Sequence, residues 1–409
     1  MSISRRGFIG AAAAAAVAPV APGLSAPAGF TPVQARDRPT RQQADRFDPW
    51  VEVDPVALAH NVARVTRLSR RPILAVLKNN AYGLGIAEVA RLLEPMPEIE
   101  GFAVVRADEA HALRDAGVRK PVLLMARAAT SDVPDLSRRD IELSIYADDD
   151  PDRLAPIARD RGPVAAQAYL DTGMARMGVR WDRATPFLRR VEESRAIRLT
   201  GIYTAFTEEP EFDREQLARF MVIVETARSD GIGLGRLHAA SSNGVYHLPE
   251  AHLDMVRPGI ALYGAYPSRP LEERAMGELV PAVRLRARVS RVSRLERGDS
   301  VSYGRNYVAE GPVWIATIPV GHADGVPRQA VEGGRILIGD RTYPVIGAVS
   351  ASHTIVEVGD EPAVSVGDTA TLLGPDHPDV HPNTLAEAVG VSVYDLLMHL
   401  GPLLPRFTV

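Results

Sequence analysis

Residues 73–85 read ILAVLKNNAYGLG, and the rest of the chain is organised around this segment. It opens with the apolar run 73–77, whose length and β-branched content are typical of a buried strand. Lys78 follows directly, and a turn rich in asparagine and glycine comes after it. A lysine at the carboxyl end of a parallel strand lies where α/β barrels place their chemistry. Shielded from water there, its amine can lose its proton and attack a carbonyl carbon.

The composition narrows the class of protein. The 409 residues are enough for two domains. A formal net charge of −4 provides no basic footprint, so nucleic acid is not an expected partner. The chain has no cysteine, which excludes disulfides, thiolate metal ligands and cysteine nucleophiles.

The N-terminal segment is typical of an export signal. Residues 4–10, SRRGFIG, match a twin-arginine motif, and an Ala-rich apolar run over residues 11–17 follows. That run is too short to span a bilayer, so no stable membrane anchor is expected. We therefore expect residues 1–26 to be a signal peptide and residues 27–48 a linker rich in proline and arginine. The mature protein is expected to be periplasmic or secreted.

Strand and helix patterns alternate over residues 49–278. This alternation predicts a parallel α/β fold, a (β/α)8 TIM-type barrel, with a doubly wound open sheet as the alternative. Over residues 279–409, short strands separated by glycine-containing turns predict a C-terminal all-β domain. In that domain, residues 283–295 read as one strand and residues 383–388 as one helix.

Several motifs, spread over residues 50–407, resemble those of the alanine racemase family. Lys78 and Tyr82 are similar to the family's lysine that holds pyridoxal 5'-phosphate (PLP) as a Schiff base and to the tyrosine that reaches its phosphate. Residues 171–178, DTGMARMG, resemble the motif whose arginine, here Arg176, meets the substrate carboxylate. The resemblance implies a PLP-dependent amino-acid racemase, an isomerase acting on a small amino-acid substrate.

The resemblance also implies six further cofactor-binding positions. A serine and two backbone amides hold the phosphate, an arginine faces the pyridine nitrogen, a histidine supports that arginine, and a tyrosine completes the phosphate site. In this sequence the residues are Ser242, Gly259, Ile260, Arg257, His238 and Tyr394.

A second catalytic base is implied in the β domain. Residues 298–304, GDSVSYG, resemble the segment that carries it, and Tyr303 matches the base. In the family this tyrosine crosses a dimer interface, so a homodimer with shared active sites is expected. Lys78 and Tyr303 would exchange the α-proton on opposite faces of the amino acid. Retention of both favours a racemase over a PLP-dependent lyase or decarboxylase, and the β domain argues against a non-catalytic, single-barrel PLP-binding protein.

Around the substrate pocket the sequence departs from the family. Ala205 replaces a histidine over the pyridine ring, and Tyr169 replaces a carbamylated lysine that braces the substrate-binding arginine. His322 replaces a tyrosine at the mouth of the pocket, while Ala351 and Ser352 replace a methionine and an aspartate. Because pocket shape determines which side chains are accepted, we expect a racemase that is not restricted to alanine.

Without the resemblance, a metal-dependent barrel hydrolase is the alternative interpretation. Its ligands would be His322, Asp324 and His353. Their spacing fits no short metal-binding motif, and no metal is expected.

Overall fold

The computed structural model describes residues 48–268 and 278–409. The expected signal peptide, and the expected linker as far as residue 47, lie outside the described residues. The first elements are β1 (Trp50–Val53) and α1 (Pro55–Ser69). Asp54 begins α1, because its carboxylate accepts hydrogen bonds from Val56 N and Ala57 N at 2.9 and 3.0 Å.

Eight parallel strands then form a closed barrel. Their buried, mainly apolar side chains fill its interior, as expected for parallel strands covered on both faces. The strands, with one short side strand β7, are β2 (Ile73–Val76), β3 (Ile99–Val104), β4 (Val122–Leu124), β5 (Ile141–Ile145), β6 (Val164–Asp171), β7 (Val179–Arg180), β8 (Ile197–Tyr203), β9 (Arg236–Ser241) and β10 (Met255–Arg257). Pairing of β5 with β6 closes the ring.

Helices connect the barrel strands. They are α2 (Lys78–Tyr82), α3 (Ile86–Leu93), α4 (Ala107–Asp115), α5 (Val133–Arg138), α6 (Asp150–Arg161), α7 (Ala184–Ser194), α8 (Pro210–Ser229) and α9 (Ser242–His247). Among the described helices, none combines the length and the hydrophobicity that crossing a bilayer requires.

The C-terminal part of the chain is built on a second, mostly antiparallel sheet. Its strands are β11 (Val283–Arg288), β12 (Arg291–Leu295), β13 (Ser300–Val301), β14 (Tyr307–Val308), β15 (Val313–Ile318), β16 (Arg335–Ile338), β17 (Arg341–Ile346), β18 (Thr354–Gly359), β19 (Thr369–Leu373) and β20 (Arg406–Thr408), of which β13 and β14 form a separate hairpin. The helices α10 (Pro382–Ala388) and α11 (Val393–Met398) precede β20. The predicted TIM-type barrel with a C-terminal β domain is thus confirmed.

Two details of the β domain differ from the sequence-based expectation. Residues 283–295 are not one strand, because the chain changes partners between β11 and β12: Val289 N bonds to Asp368 O and Ser290 N to Thr317 O, both at 2.9 Å. The helix α11 was not predicted. It supplies contacts to the turn that begins at Lys78.

The first strand also lies in the second sheet. β1 pairs antiparallel with β11 and parallel with β20, rather than with a barrel strand. The sequence-based range 49–278 assigns this strand to the barrel, whereas its hydrogen bonds join it to the β domain. The hydrogen bonds of β1 therefore join the segment that precedes the barrel to β11 and β20 of the β domain.

Candidate active site

Lys78 begins a left-handed turn at the carboxyl end of β2. The next four residues, 79–82, all have φ between 52° and 56°. For residues other than glycine this backbone conformation costs about 1–2 kcal/mol each. A run of four such residues persists only where the surrounding structure holds it in place.

Three contacts anchor this turn. The buried Glu109 carboxylate accepts a hydrogen bond from Asn80 N at 3.2 Å. The Arg406 guanidinium donates to Gly83 O at 2.7 and 3.0 Å. A Cβ atom on Gly83 would lie 2.1 Å from Leu397 O, so the turn and α11 approach each other as closely as glycine allows. The C-terminal domain therefore helps to hold the turn that begins at Lys78. Neither Glu109 nor Arg406 was predicted from the sequence to lie at this turn.

The Lys78 side chain is half-buried, and its Nζ lies 5.8 Å from the centroid of the Tyr82 ring. Burial, and next the positive charge of Arg176, lower the pKa of Lys78, while Glu208 and Glu109 act in the opposite direction. The amine is consequently more easily deprotonated than that of a free lysine. A neutral amine is the form that attacks an aldehyde or accepts a proton.

A small polar cradle lies beside Tyr82. Ser242 Oγ accepts hydrogen bonds from Gly259 N at 3.0 Å and Ala261 N at 3.2 Å, and Ile260 begins the next helical turn. A Cβ on Gly259 would lie 2.2 Å from the Tyr82 hydroxyl, so any side chain there would fill the cradle. Clustered hydroxyl and backbone N–H groups of this kind suit a phosphate.

Three tyrosines line the same region. The Tyr82 ring lies 4.9 Å from that of Tyr263 and 6.2 Å from that of Tyr394. Burial raises the pKa of Tyr82 and of Tyr394, so both hydroxyls stay protonated and can donate hydrogen bonds. Tyr263 was not predicted to be near the site; its hydroxyl donates to Val76 O at 3.0 Å and fixes the end of β2.

Arg257 is a buried cation at the end of β10. Its guanidinium donates to His238 Nδ1 at 2.8 Å and to the carbonyl oxygens of Thr204 and Ala239 at 2.6 and 3.2 Å. Burial, and then the charge of Arg257, lower the pKa of His238 well below its usual value. These partners are all neutral, so a fixed positive charge remains at this point of the barrel.

A column of rings extends from His238 across the barrel. Tyr203 stacks on His238 at 5.1 Å, and Tyr169 stacks on Tyr203 at 4.6 Å. Tyr169 stands where the resemblance implies a lysine that braces the substrate-binding arginine. In this chain it packs inside the column, while Arg176 is exposed at the mouth of the barrel.

The predicted residues of the β domain other than Tyr394 lie together on another surface. We name it the loop face and define it as residues 302–303, 322 and 351–353. Ser302 Oγ donates to Ala348 O at 2.9 Å, and His322 N donates to Ser350 O at 2.9 Å, which joins the three loops. Tyr303 is 76% exposed, and Ala351 and Ser352 are exposed as well. Among the described residues, no hydrogen bond or ion pair joins Tyr303, His322 or Ser352 to Lys78 of the same chain.

The three residues of the metal-site alternative make separate contacts. His322 Nε2 lies 3.0 Å from the Arg328 guanidinium, Asp324 accepts from Gly321 N at 2.9 Å, and His353 Nδ1 lies 3.0 Å from Ser352 Oγ. Within residues 48–268 and 278–409, no group of three His, Asp or Glu side chains could hold a metal ion.

The barrel residues fit PLP. Lys78 offers an amine of lowered pKa for its aldehyde, and the Ser242–Gly259 cradle with Tyr82 offers donors for its phosphate. Arg257 offers a buried guanidinium for its ring nitrogen. Six of the seven predicted cofactor-binding residues of the barrel lie at or after the carboxyl ends of β2, β9 and β10. The seventh, His238, lies within β9 against Arg257, and Tyr394 joins the group from α11.

Comparison with known proteins matches nearly all of the described chain. The family model "Alanine racemase, N-terminal domain" matches residues 53–267, and "Alanine racemase, C-terminal domain" matches residues 282–408. An alanine racemase from Carboxydothermus hydrogenoformans is 34% identical, over 88% of this chain and 99% of that protein. One from Desulforamulus reducens is 33% identical, over 87% of this chain and 98% of that protein.

Solved structures agree with the sequence matches. The alanine racemase from Streptomyces coelicolor A3(2) superposes with a TM-score of 0.84 at 28% identity, covering 90% of this chain and 99% of that one. That from a D-cycloserine-producing Streptomyces lavendulae has a TM-score of 0.83 at 28% identity, covering 89% and 97%. By its sequence and by its fold, the chain belongs to the alanine racemase family.

Proposed function

We propose that this protein is a PLP-dependent amino-acid racemase that interconverts L- and D-amino acids with Lys78 and the partner subunit's Tyr303 as its two bases. Its membership of the alanine racemase family establishes that it is a PLP-dependent racemase. The observation that carries the assignment of Lys78 is its half-buried amine of lowered pKa beside the polar cradle.

The cofactor and the residues around it have separate roles in the reaction. PLP supplies, when bound, an electron sink that makes the α-proton of an amino acid acidic. Lys78 Nζ takes or returns that proton on one face of the substrate, and the partner subunit's Tyr303 hydroxyl does so on the other. Arg176 holds the substrate carboxylate with its fork of donors. Arg257 keeps a positive charge beside the ring nitrogen, where no proton is then needed.

The active unit is a homodimer in which each barrel is completed by the loop face of the other subunit. Support comes from the exposure of Tyr303, which is 76%, and from its position in a different domain from Lys78. In a two-fold dimer the same pair of surfaces meets twice, so both sites are completed together. Mixing Lys78→Ala subunits with Tyr303→Phe subunits should restore one working site in each heterodimer. No recovery after verified subunit exchange would exclude shared sites.

The substrates include polar or longer amino acids. Ala205 leaves only a methyl group beside the site, and its carbonyl accepts from the buried Gln216 Nε2 at 3.1 Å, which fixes the loop. Each methylene accommodated or rejected by a pocket changes discrimination by roughly 1–3 kcal/mol. The test is a panel of L-amino acids, with the D-products separated by chiral chromatography. Polar or longer substrates should be turned over at least as well as alanine; strict alanine specificity would refute this assignment.

The protein is exported through the twin-arginine route. The support is the SRRGFIG motif at residues 4–10 and the apolar run that follows it. Replacing Arg5 and Arg6 by lysine should retain racemase activity in the cytoplasmic fraction. Unchanged activity in the periplasmic fraction would contradict export by this route.

A further inference from the structure

Four side chains form a continuous hydrogen-bonded chain through the barrel interior. Arg257 donates to His238 Nδ1 at 2.8 Å, and His238 Nε2 lies 2.6 Å from Gln167 Oε1. Gln167 Nε2 in turn donates to Glu142 Oε2 at 2.7 Å. Arg257 is the last residue of β10, at the active-site end of the barrel, whereas Glu142 is the second residue of β5, at the opposite end.

The direction of every hydrogen bond in this chain is determined by its two ends. A guanidinium only donates, so His238 Nδ1 must accept, and a neutral imidazole then carries its proton on Nε2. That proton points at the Gln167 carbonyl oxygen, and the Gln167 amide NH2 is left for Glu142. An ionised carboxylate only accepts, so Glu142 imposes the same direction from the other end.

The surrounding residues leave room for this arrangement and hold it. A Cβ on Gly201 would lie 3.2 Å from the Gln167 amide, so glycine at this position of β8 admits the Gln167 side chain. Thr200 Oγ1 lies 3.1 Å from Glu142 Oε2 and helps to fix the carboxylate. Gln167 and Arg257 are each 6% exposed and His238 is fully buried, so water does not compete for the hydrogen bonds among these three groups, whereas Glu142 at the far end is partly exposed.

The hydrogen-bonded chain of side chains balances the buried positive charge of Arg257. A buried cation without an anion is strongly unfavourable, yet the partners of Arg257 within the described residues are a neutral histidine and two carbonyl groups. Hydrogen bonds in series polarise one another in a medium of low dielectric constant. A carboxylate at the far end therefore strengthens the acceptor that His238 presents to Arg257.

We propose that Glu142 is the relayed counter-charge of Arg257, and that Glu142 and Gln167 are positioning residues for the reaction. They act through His238, whose single tautomer holds the Arg257 guanidinium in place. The relay rests on the proposed function in so far as Arg257 serves the ring nitrogen of PLP. Neither residue touches the substrate or the cofactor.

The test measures the hydrogen bond between His238 and Gln167 by NMR in the PLP-loaded enzyme. The Nε2 proton of His238 lies in a short buried hydrogen bond, so it should resonate far downfield in a proton NMR spectrum of protein labelled with 15N-histidine. His238→Gln assigns the signal by its loss. Glu142→Gln keeps a hydrogen-bond acceptor for Gln167 but removes the charge, and the signal should move upfield. The double variant Glu142→Gln/Gln167→Glu brings the charge one group closer to His238, and the signal should move downfield of wild type.

A matched control is Glu100→Gln, which also replaces a barrel-strand glutamate but only removes a partly exposed ion pair with Arg236. Its spectrum and turnover should equal those of wild type. In Glu142→Gln, kcat should fall about fivefold with KM unchanged, which is the difference between a charged and a neutral hydrogen bond. The relay would be overturned if the His238 signal of Glu142→Gln coincided with that of Glu100→Gln. It would also be overturned if that signal moved while kcat of Glu142→Gln equalled kcat of Glu100→Gln. Failure of the proposed function is separate, because it would appear as absence of racemisation in wild type.

Discussion

Gly259→Ala tests the cradle most simply, because the added methyl group enters the place assigned to the phosphate. Its Cβ would lie 2.2 Å from the Tyr82 hydroxyl oxygen and 2.7 Å from Cζ. Tyr82 cannot move aside easily, since it is only 4% exposed and packs against Tyr263 and Tyr394. The variant should therefore displace the hydroxyl that the phosphate needs.

The size of the effect follows from the overlap. Overpacking a buried site by one methyl group costs roughly 1–3 kcal/mol. If the PLP-bound form carries that cost, the dissociation constant of PLP rises roughly fivefold to a hundredfold, since about 1.4 kcal/mol is a factor of ten. Titration of the apoprotein with PLP, followed by quenching of tryptophan fluorescence, measures this constant.

Gly233→Ala is the matched control. A Cβ there meets no atom within 4 Å, and the backbone is not left-handed. PLP binding by this variant should equal that of wild type. The cradle is wrongly placed if Gly259→Ala binds PLP as tightly as Gly233→Ala while both unfold at the wild-type denaturant concentration.

Three further predictions concern the lysine and the pocket. Lys78→Ala should retain no covalently bound PLP after borohydride reduction and dialysis, whereas wild type keeps the reduced secondary-amine adduct, which absorbs in the near ultraviolet. Loading of PLP onto the apoprotein needs the neutral Lys78 amine, so its rate should rise with pH through the lowered pKa of Lys78. Arg176→Gln removes a positive charge that lowers the pKa of Lys78, so the midpoint of the pH–rate profile should move to higher pH. Glu208→Gln removes a negative charge that raises this pKa, so the midpoint should move to lower pH. Shifts of both midpoints in the same direction would contradict the electrostatic reasoning. Ala351→Met combined with Ser352→Asp should narrow the substrate range toward alanine, measured as kcat/KM across the amino-acid panel.

The sequence contains enough local information to predict a parallel α/β sheet and the position of its lysine, whereas the pairing of β5 with β6 distinguishes the closed barrel from a doubly wound open sheet. Alternation of strand and helix patterns requires a parallel sheet, and the apolar run before Lys78 is a strand, β2, that ends two residues before it. The cofactor-binding residues could be found because each belongs to a short motif that resembles one of the alanine racemase family. Arg257 and Ser242 are examples.

Long-range contacts could not be predicted in this way. Arg406 holds the carbonyl of Gly83, which lies 323 residues earlier in the chain, and β1 pairs with β11 and β20, which both follow the barrel in the sequence. Glu142 and Gln167 look like ordinary strand residues until the barrel closes and brings them into line with His238. Only the polar side chain of Gln167 between two alanines of β6 gave a signal that this position differs from its neighbours.

In the proposed reaction, the protein exchanges the α-proton of an amino acid from both of its faces. The most direct measurement is to incubate the purified, PLP-loaded protein with L-amino acids in D2O and to analyse the products by chiral chromatography and mass spectrometry. We expect equal amounts of L- and D-isomers at equilibrium, with deuterium at the α-carbon of the D-isomer. Products that have lost the carboxyl group, or α-deuterated L-isomer without any D-isomer, would contradict it.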